Sequence, residues 1–200
     1  FTIPSVKAVT LVINSPGGSP VQSLLIAARL RQLATRHNVP DLAFCADVAA
    51  SGGYWLAAAA DEIYANSASV IGSIGVISSG FGFPEALKRL GVERRVYTSG
   101  LSKSMLDPFS EEKDSDVAHL SALQSDIHQL FIDYVKSRRG TRLSGADEEL
   151  FSGKFWTGNQ AKSFGLVDGV GLFHDVLESR FGADVKIITL SQRTSWRSVT

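Results

Sequence analysis

Five small residues, Ala49-Ala50-Ser51-Gly52-Gly53, separate a strand-like run, Asp41 to Ala46, from an apolar run, Tyr54 to Ala60, that reads as a helix. A strand feeding a helix through so short a joint must turn sharply, and side chains this small let another stretch of backbone come close. The first amides of the following helix have no intrahelical acceptor and carry the positive end of its dipole. A serine on such a joint sits where developing negative charge is stabilised. The G-x-S-x-G spacing of a nucleophile elbow is absent, so the turn by itself fits a tight corner as well as a presented nucleophile.

Short β-branched runs and helical patterns alternate around this joint. Val6 to Ile13 reads as a strand covered on both faces, broken by Asn14-Ser15-Pro16-Gly17-Gly18-Ser19-Pro20. A helix is expected from there to about His37, with Val21, Leu24, Leu25 and Ala28 as its buried face. Further strands are expected at Ile63 to Ala65, Val70 to Ile77 and Glu93 to Thr98, with a short helix over Pro84 to Leu90. A polar loop, Ser99 to Phe109, leads to a long helix with Ser110 as N-cap. Its apolar stripe is Val117, Leu120, Leu123, Ile127, Leu130, Phe131 and Tyr134, and Gly140 ends it. Short helices and turns follow, then a strand over Val185 to Leu190 and a polar tail. The alternation predicts an α/β fold of stacked β-α-β units with a helix-rich C-terminal part, in a single domain spanning residues 1–200.

Two hundred residues with 44% apolar content bury a sizeable core. Twenty acidic side chains balance twenty basic ones, which gives no global field for nucleic acid or an acidic membrane surface. The lone Cys45 excludes an intrachain disulfide and a cysteine-rich metal site, and no cofactor or metal is expected. The uncharged stretch Ile63 to Pro84 is long enough to span a bilayer, but its glycines, Asn66 and five serines suit strands and turns. A chain that starts Phe-Thr-Ile-Pro and enters a strand almost at once reads as part of a longer protein.

Three turns, Gly17-Gly18, Ser51-Gly52-Gly53 and Gly72-Ser73-Ile74-Gly75, each follow a strand, and such turns gather around one crevice in an open α/β sheet. Neither nucleotide-binding glycine fingerprint occurs there, which weakens a phosphate site. Exposed amides of Gly18 and Gly52 can instead converge on an acyl oxyanion. A serine nucleophile also needs a proton acceptor. His37, His119, His128 and His174 all read as surface or packing residues, whereas a lysine kept neutral by desolvation can do this work. Lys103 is the one cation within Ser99 to Phe109, among small and apolar residues, although taken alone a solvated loop lysine is the better reading of it; Lys88, Lys113, Lys136, Lys154, Lys162 and Lys186 read as exposed faces.

Five pieces in order make the chain resemble the signal peptide peptidase A (protease IV) family of serine peptidases, which has a Clp/crotonase-like fold. They are Asn14 to Gly18, Ala49 to Tyr54, Ile71 to Val76, Ser99 to Lys103, and the segment from Phe155 to Asp168. The resemblance implies Ser51 as nucleophile, Lys103 as general base, the Gly18 and Gly52 amides as oxyanion hole, and Ser73 as the residue that orients the lysine. It also implies a homo-oligomeric ring in which serine and lysine meet across a subunit boundary, acting on short or unfolded apolar peptides such as signal peptide remnants. A membrane anchor and a first strand would lie upstream, placing the catalytic domain on the extracytoplasmic side of a bacterial inner membrane. Nucleic acid is not an expected partner.

Other readings fit less well. A Clp-type peptidase would carry a histidine where Val76 stands. A crotonase would hold an acyl-CoA thioester with similar turns, but no acid-base carboxylate lies beside them and it has no use for Ser51 and Lys103. An inactive assembly scaffold would be free to lose either residue.

Overall fold

The computed structural model describes residues 1–100 and 102–190; Leu101 of the lysine segment and the polar tail after Leu190 lie outside the described residues. The chain runs β1 (Val9–Ser15), α1 (Pro20–His37), β2 (Asp41–Ala50), α2 (Gly52–Ala59), β3 (Glu62–Ala65) and β4 (Val70–Gly72). It continues through α3 (Pro84–Arg89), α4 (Asp114–Arg139), a 3-10 turn (Gly140–Arg142) and α5 (Asp147–Leu150). β5 (Phe155–Thr157), α6 (Gly158–Ser163), β6 (Gly169–Val170) and α7 (Phe173–Phe181) complete it. This is the α/β architecture expected from the alternating pattern.

β2 organises the sheet. It pairs in parallel with β1 on one side, and on the other with β3 through Leu42 to Cys45 and then with β4 through Val48 to Ala50. β6 extends the β3 side in parallel, and β5 closes the β4 side as an antiparallel edge. One strand thereby serves two neighbours in succession, and the sheet curls around it.

The main core lies between the sheet and the helices α2 and α4. Trp55 stacks on Phe131 with ring centroids 4.3 Å apart, and the buried Tyr54 hydroxyl donates to the Leu166 carbonyl at 2.8 Å. On the other face of the sheet, Leu42, Phe44 and Leu177 form a smaller cluster, with Phe173 set edge-on to Phe44.

Several elements depart from the sequence reading. α1 turns Ser23, Ala27 and Ala34 inward, while Val21 (62% exposed), Leu24, Leu25 (58%) and Ala28 face out. α1 lies against α2, whose Ala57, Ala58 and Ala59 are buried, and so close an approach takes small residues over large apolar ones. α4 starts at Asp114 with Lys113 at the N-cap position, and the Ser110 hydroxyl turns to Asp107 instead. Of its expected stripe only Phe131 is buried; Leu120, Ile127 and Tyr134 are half-buried, Val117, Leu123 and Leu130 are exposed, and Val135, outside the stripe, is the other apolar residue that α4 buries. β4 stops at Gly72 rather than Ile77, and neither Glu93 to Thr98 nor Val185 to Leu190 joins the sheet. Their β-branched composition finds no strand edge to pair with, and strand propensity has little force without one. The edge strand β5 and the two-residue β6 are too short to show a period.

Charges collect at the N-terminal ends of the strands. Arg139, 2% exposed, gives both terminal nitrogens to the Asp168 carboxylate at 2.8 and 3.0 Å and its Nε to the Gly165 carbonyl. Asp168 also accepts from the Ile63 amide at 2.7 Å and from Arg142 at 3.2 Å. Burial pushes the Asp168 carboxyl up, but the bonds from Arg139 and Ile63 outweigh it and hold the group below the ordinary aspartate value. Beside it, Arg31 Nη1 bridges Asp41 and Asp61 at 2.7 Å each, and burial, then the neighbouring Asp61, push Asp41 up to about 6.

Asp168→Ala leaves Arg139 buried without its counter-charge, and urea unfolding should show a loss of about 3–5 kcal/mol. Because the folded pKa of Asp168 is depressed, its contribution is present above the unfolded value near ~3.9 and is lost as pH falls through the folded value. The destabilisation of Asp168→Ala relative to wild type should therefore shrink at acid pH; a constant difference down to strong acid would refute the assignment.

Candidate active site

The turns after β1, β2 and β4 lie together at the C-terminal ends of these strands. Ala50, the last residue of β2, is in register with Gly72, the last residue of β4, and the Ser51 amide bonds the Gly72 carbonyl at 2.8 Å. Ser51 and Ser73 are therefore equivalent next residues on adjacent parallel strands. Both adopt positive φ, 52° in each case. Ser51, with ψ −123°, is the N-cap of α2, and its carbonyl accepts from the Trp55 amide, so the chain passes from strand to helix within one strained residue. Strain of this kind costs on the order of 1–3 kcal/mol and persists only where the surroundings over-determine it.

Two glycines make the surroundings possible. Gly17 has φ +119°, and a Cβ on it would lie 2.8 Å from Ser51 Cβ and 3.1 Å from Ser51 Oγ. A Cβ on Gly52 would meet Ser23 Oγ at 2.5 Å and the Gly18 amide nitrogen at 3.3 Å. The Gly18 amide and the first residue of α2 are thus next to each other and next to Ser51. α1 begins two residues after Gly18, with the Ser19 hydroxyl accepting from the Gln22 amide and Pro20 in its first turn. The N-termini of α1 and α2 converge here, so unpaired amides and the positive ends of two helices meet beside a hydroxyl. Such a setting favours an anionic oxygen.

Ser73 is half-buried, and its amide bonds the Lys154 carbonyl at 2.7 Å. The carbonyl of the next residue, Ile74, is held by His128 Nε2 at 3.0 Å. His128 therefore packs α4 against this turn, a packing role of the kind its sequence context implies. Asn14 has a role the sequence did not reveal. Its side chain bonds Asp47 and the Val48 amide across the β1–β2 pair. The available signal was a carboxamide, able both to donate and to accept, placed where a strand ends in Pro-Gly-Gly.

Lys103 stands apart. It is exposed, on an arm between β4 and α4, and its amide bonds the Gly100 carbonyl at 3.2 Å. Among the described residues its ammonium group makes no ion pair, and no hydrogen bond joins it to Ser51 or Ser73. The arm has a small aromatic nucleus of its own: Phe83 lies 5.8 Å from Phe109, and Arg94 sits over the Phe109 ring while bonding Asp107 at 2.7 Å. That bond from Arg94 holds Asp107 below the usual carboxylate range. A cavity of about 460 Å³ lies on this arm, lined by Pro84, Leu106, Phe109 and Lys113 among others, and Ser51 is not part of it. Among the described residues no group of His, Cys, Asp and Glu is arranged to hold a metal ion, and burial pushes the Cys45 thiol up to about 12.

Residues 34–184 match the model of Peptidase family S49. A protein of Brucella abortus named as the Na(+)/H(+) antiporter NhaA is 55% identical over 180 residues, covering 90% of this chain and 24% of that protein. A putative signal peptide peptidase SppA of Enterococcus faecium is 34% identical, covering 88% of this chain and 50% of its own length. The chloroplastic serine protease SPPA of Arabidopsis thaliana is 33% identical over 82% of this chain and 24% of that protein. The chain thus spans between about a quarter and a half of the length of these relatives. The family match covers three-quarters of the residues and includes the turns of Ser51 and Ser73 and the arm of Lys103: the chain belongs to Peptidase family S49.

Proposed function

We propose that this chain is the catalytic domain of an endopeptidase that works through an acyl-enzyme on Ser51 with Lys103 as general base. The observation that carries the reading is the strained positive-φ turn at Ser51, packed against Gly17 and flanked by the Gly18 and Gly52 amides. In this mechanism Ser51 Oγ attacks the scissile carbonyl as its proton passes to Lys103 Nζ. The carbonyl oxygen becomes an oxyanion between the Gly18 and Gly52 N–H groups. Collapse of the tetrahedral intermediate breaks the C–N bond, and the leaving amine takes the proton from Lys103. A water molecule then gives its proton to Lys103 and attacks the ester, and a second collapse frees the acid product and returns the proton to Ser51. Ser73, next to Ser51 across the β2–β4 pair, orients the lysine through its hydroxyl.

Lys103 lies on an exposed arm, and the reading assigns it to the Ser51 of a neighbouring copy in a homo-oligomeric ring. The outward apolar face of α1 (Val21, Leu24, Leu25) and the exposed Phe81 and Tyr97 of the arm support such an assembly, since buried interfaces take up apolar surface of this kind. The proposed substrates are short or unfolded apolar peptides, such as signal peptide remnants, in keeping with the name of the Enterococcus relative. Among the described residues no helix is long and apolar enough to cross a membrane. The reading places the membrane attachment in a part of the protein outside this chain, with this domain on the extracytoplasmic side of a bacterial inner membrane. A related segment within a protein named for sodium–proton antiport fits a peptidase kept beside a membrane.

Ser51→Ala and Lys103→Ala should each lower cleavage of a fluorogenic apolar peptide by a factor on the order of a thousand or more. Mixing the two inactive proteins under conditions of subunit exchange should restore part of the activity. Unchanged hydrolysis by Ser51→Ala would overturn the nucleophile assignment, and no recovery in mixtures shown to exchange would place the dyad within one copy. Ser51→Gly should also abolish cleavage while raising the unfolding free energy by about 1 kcal/mol, because glycine relieves the positive-φ strain at that residue. A clear loss of stability in Ser51→Gly would show that the turn is not strained.

A further inference from the structure

β1 and β2 pair one residue to one from Val9 with Asp41 to Ile13 with Cys45, but the next pair is Ser15 with Ala49. Asn14 alone therefore faces Ala46, Asp47 and Val48. Backbone pairing fails at this break, and the Asn14 side chain fills it. Its Oδ1 accepts from the Val48 amide at 3.2 Å, and its Nδ2 donates to Asp47 Oδ2 at 3.0 Å. From the other side of the bend the buried Ser69 hydroxyl contacts the Cys45 and Ala46 carbonyls at 3.1 and 2.5 Å. Just beyond the break, Val48 to Ala50 leave the β3 side and pair with β4, and Ser51 follows.

Asn14 lies upstream of Gly18 on one chain segment and is bonded to the segment that leads into Ser51 and Gly52 on the other. The two segments supply the two amides that flank the Ser51 hydroxyl. Displacing one segment relative to the other by a fraction of an ångström changes the spacing of those amides while leaving the core beneath them in place. Oxyanion stabilisation depends steeply on that spacing.

We propose that Asn14 is a positioning residue for this site, setting the spacing of the Gly18 and Gly52 amides through its two bonds to Asp47 and Val48. The proposal rests on the reading of Ser51 as nucleophile. Asn14→Asp keeps an acceptor for the Val48 amide but sets two carboxylates 3.0 Å apart. Adding Asp47→Asn restores a donor facing an acceptor with the roles reversed, and Asp47→Asn alone keeps an amide oxygen as acceptor for Asn14.

The experiment measures kcat and KM on one fluorogenic apolar peptide, with urea unfolding of each variant, in the full-length protein. Asn14→Asp should lower kcat about tenfold or more with KM little changed, and Asp47→Asn should stay near wild type. The double variant should recover to within about threefold of wild type, the non-additivity expected of residues in direct contact. Wild-type kcat in Asn14→Asp, a loss confined to the urea midpoint, or a double variant as slow as Asn14→Asp overturns the proposal. Should Asn14→Asp not fold, the folded double variant decides: near-wild-type kcat supports the positioning role and a tenfold deficit overturns it. Ser51→Ala in the same assay separates the two readings, because unchanged hydrolysis there removes the Ser51 assignment itself, and Asn14's role with it.

Discussion

The arrangement of this domain depends on one strand that cannot keep a single neighbour. β2 runs for ten residues, but only its first half fits between β1 and β3; the second half belongs between β1 and β4. The change of partner requires a bend, and the bend leaves three residues of β2 opposite one of β1. Polar groups that would face each other across a regular ladder are met there by side chains, Asn14 from one side and Ser69 from the other. The geometry of the Ser51 turn is inherited from this bend, because the last three residues of β2, Val48 to Ala50, are fixed by pairing with β4.

Stability and chemistry occupy opposite ends of the same strands. The N-terminal ends hold the partly buried ion pairs of Arg139 with Asp168 and of Arg31 with Asp41 and Asp61, which join α1, α4, the approach to β6 and the starts of β2 and β3. The C-terminal ends hold glycines, serines and unpaired amides. Full charges near those amides would offset the positive ends of the two helices there, whereas charges at the other end fasten the C-terminal segments to the sheet without reaching them. The strained turn itself is held by its immediate neighbours, the β4 pairing and Gly17, while the charges that fasten the domain lie at the other end of the strands.

The sequence made some of this legible and not the rest. The strand-turn-helix at Ser51 could be read because small residues between a β-branched run and an apolar run permit little else. Gly18, Gly52 and Ser73 could be placed at the same end of the sheet because turns that follow parallel strands must collect there. The face of α1 could not be read: periodicity reports where the large apolar residues lie, and here the inward side is set by how near α2 approaches, which selects Ser23, Ala27 and Ala34. Glu93 to Thr98 has the composition of a strand and no edge to join. Lys103 was singled out by resemblance more than by local pattern, and its exposed position on the arm agrees with how weak that local pattern is. Asn14 was visible as part of a motif, but its bonds depend on a register break that no single segment encodes.

The backbone at residue 51 has a consequence for which side chains that position accepts. At φ 52° a β-branched residue brings a second heavy atom on Cβ against its own carbonyl and against Gly17, whose absent Cβ already marks the limit of the space. Threonine carries a hydroxyl as serine does, yet it does not fit here. Cysteine, unbranched, avoids that second heavy atom. On the reading of Ser51 as nucleophile, relatives that changed the reacting atom at this turn would thus be expected to exchange oxygen for sulfur before they exchanged one alcohol for another, a restriction written by a torsion angle and not by reactivity.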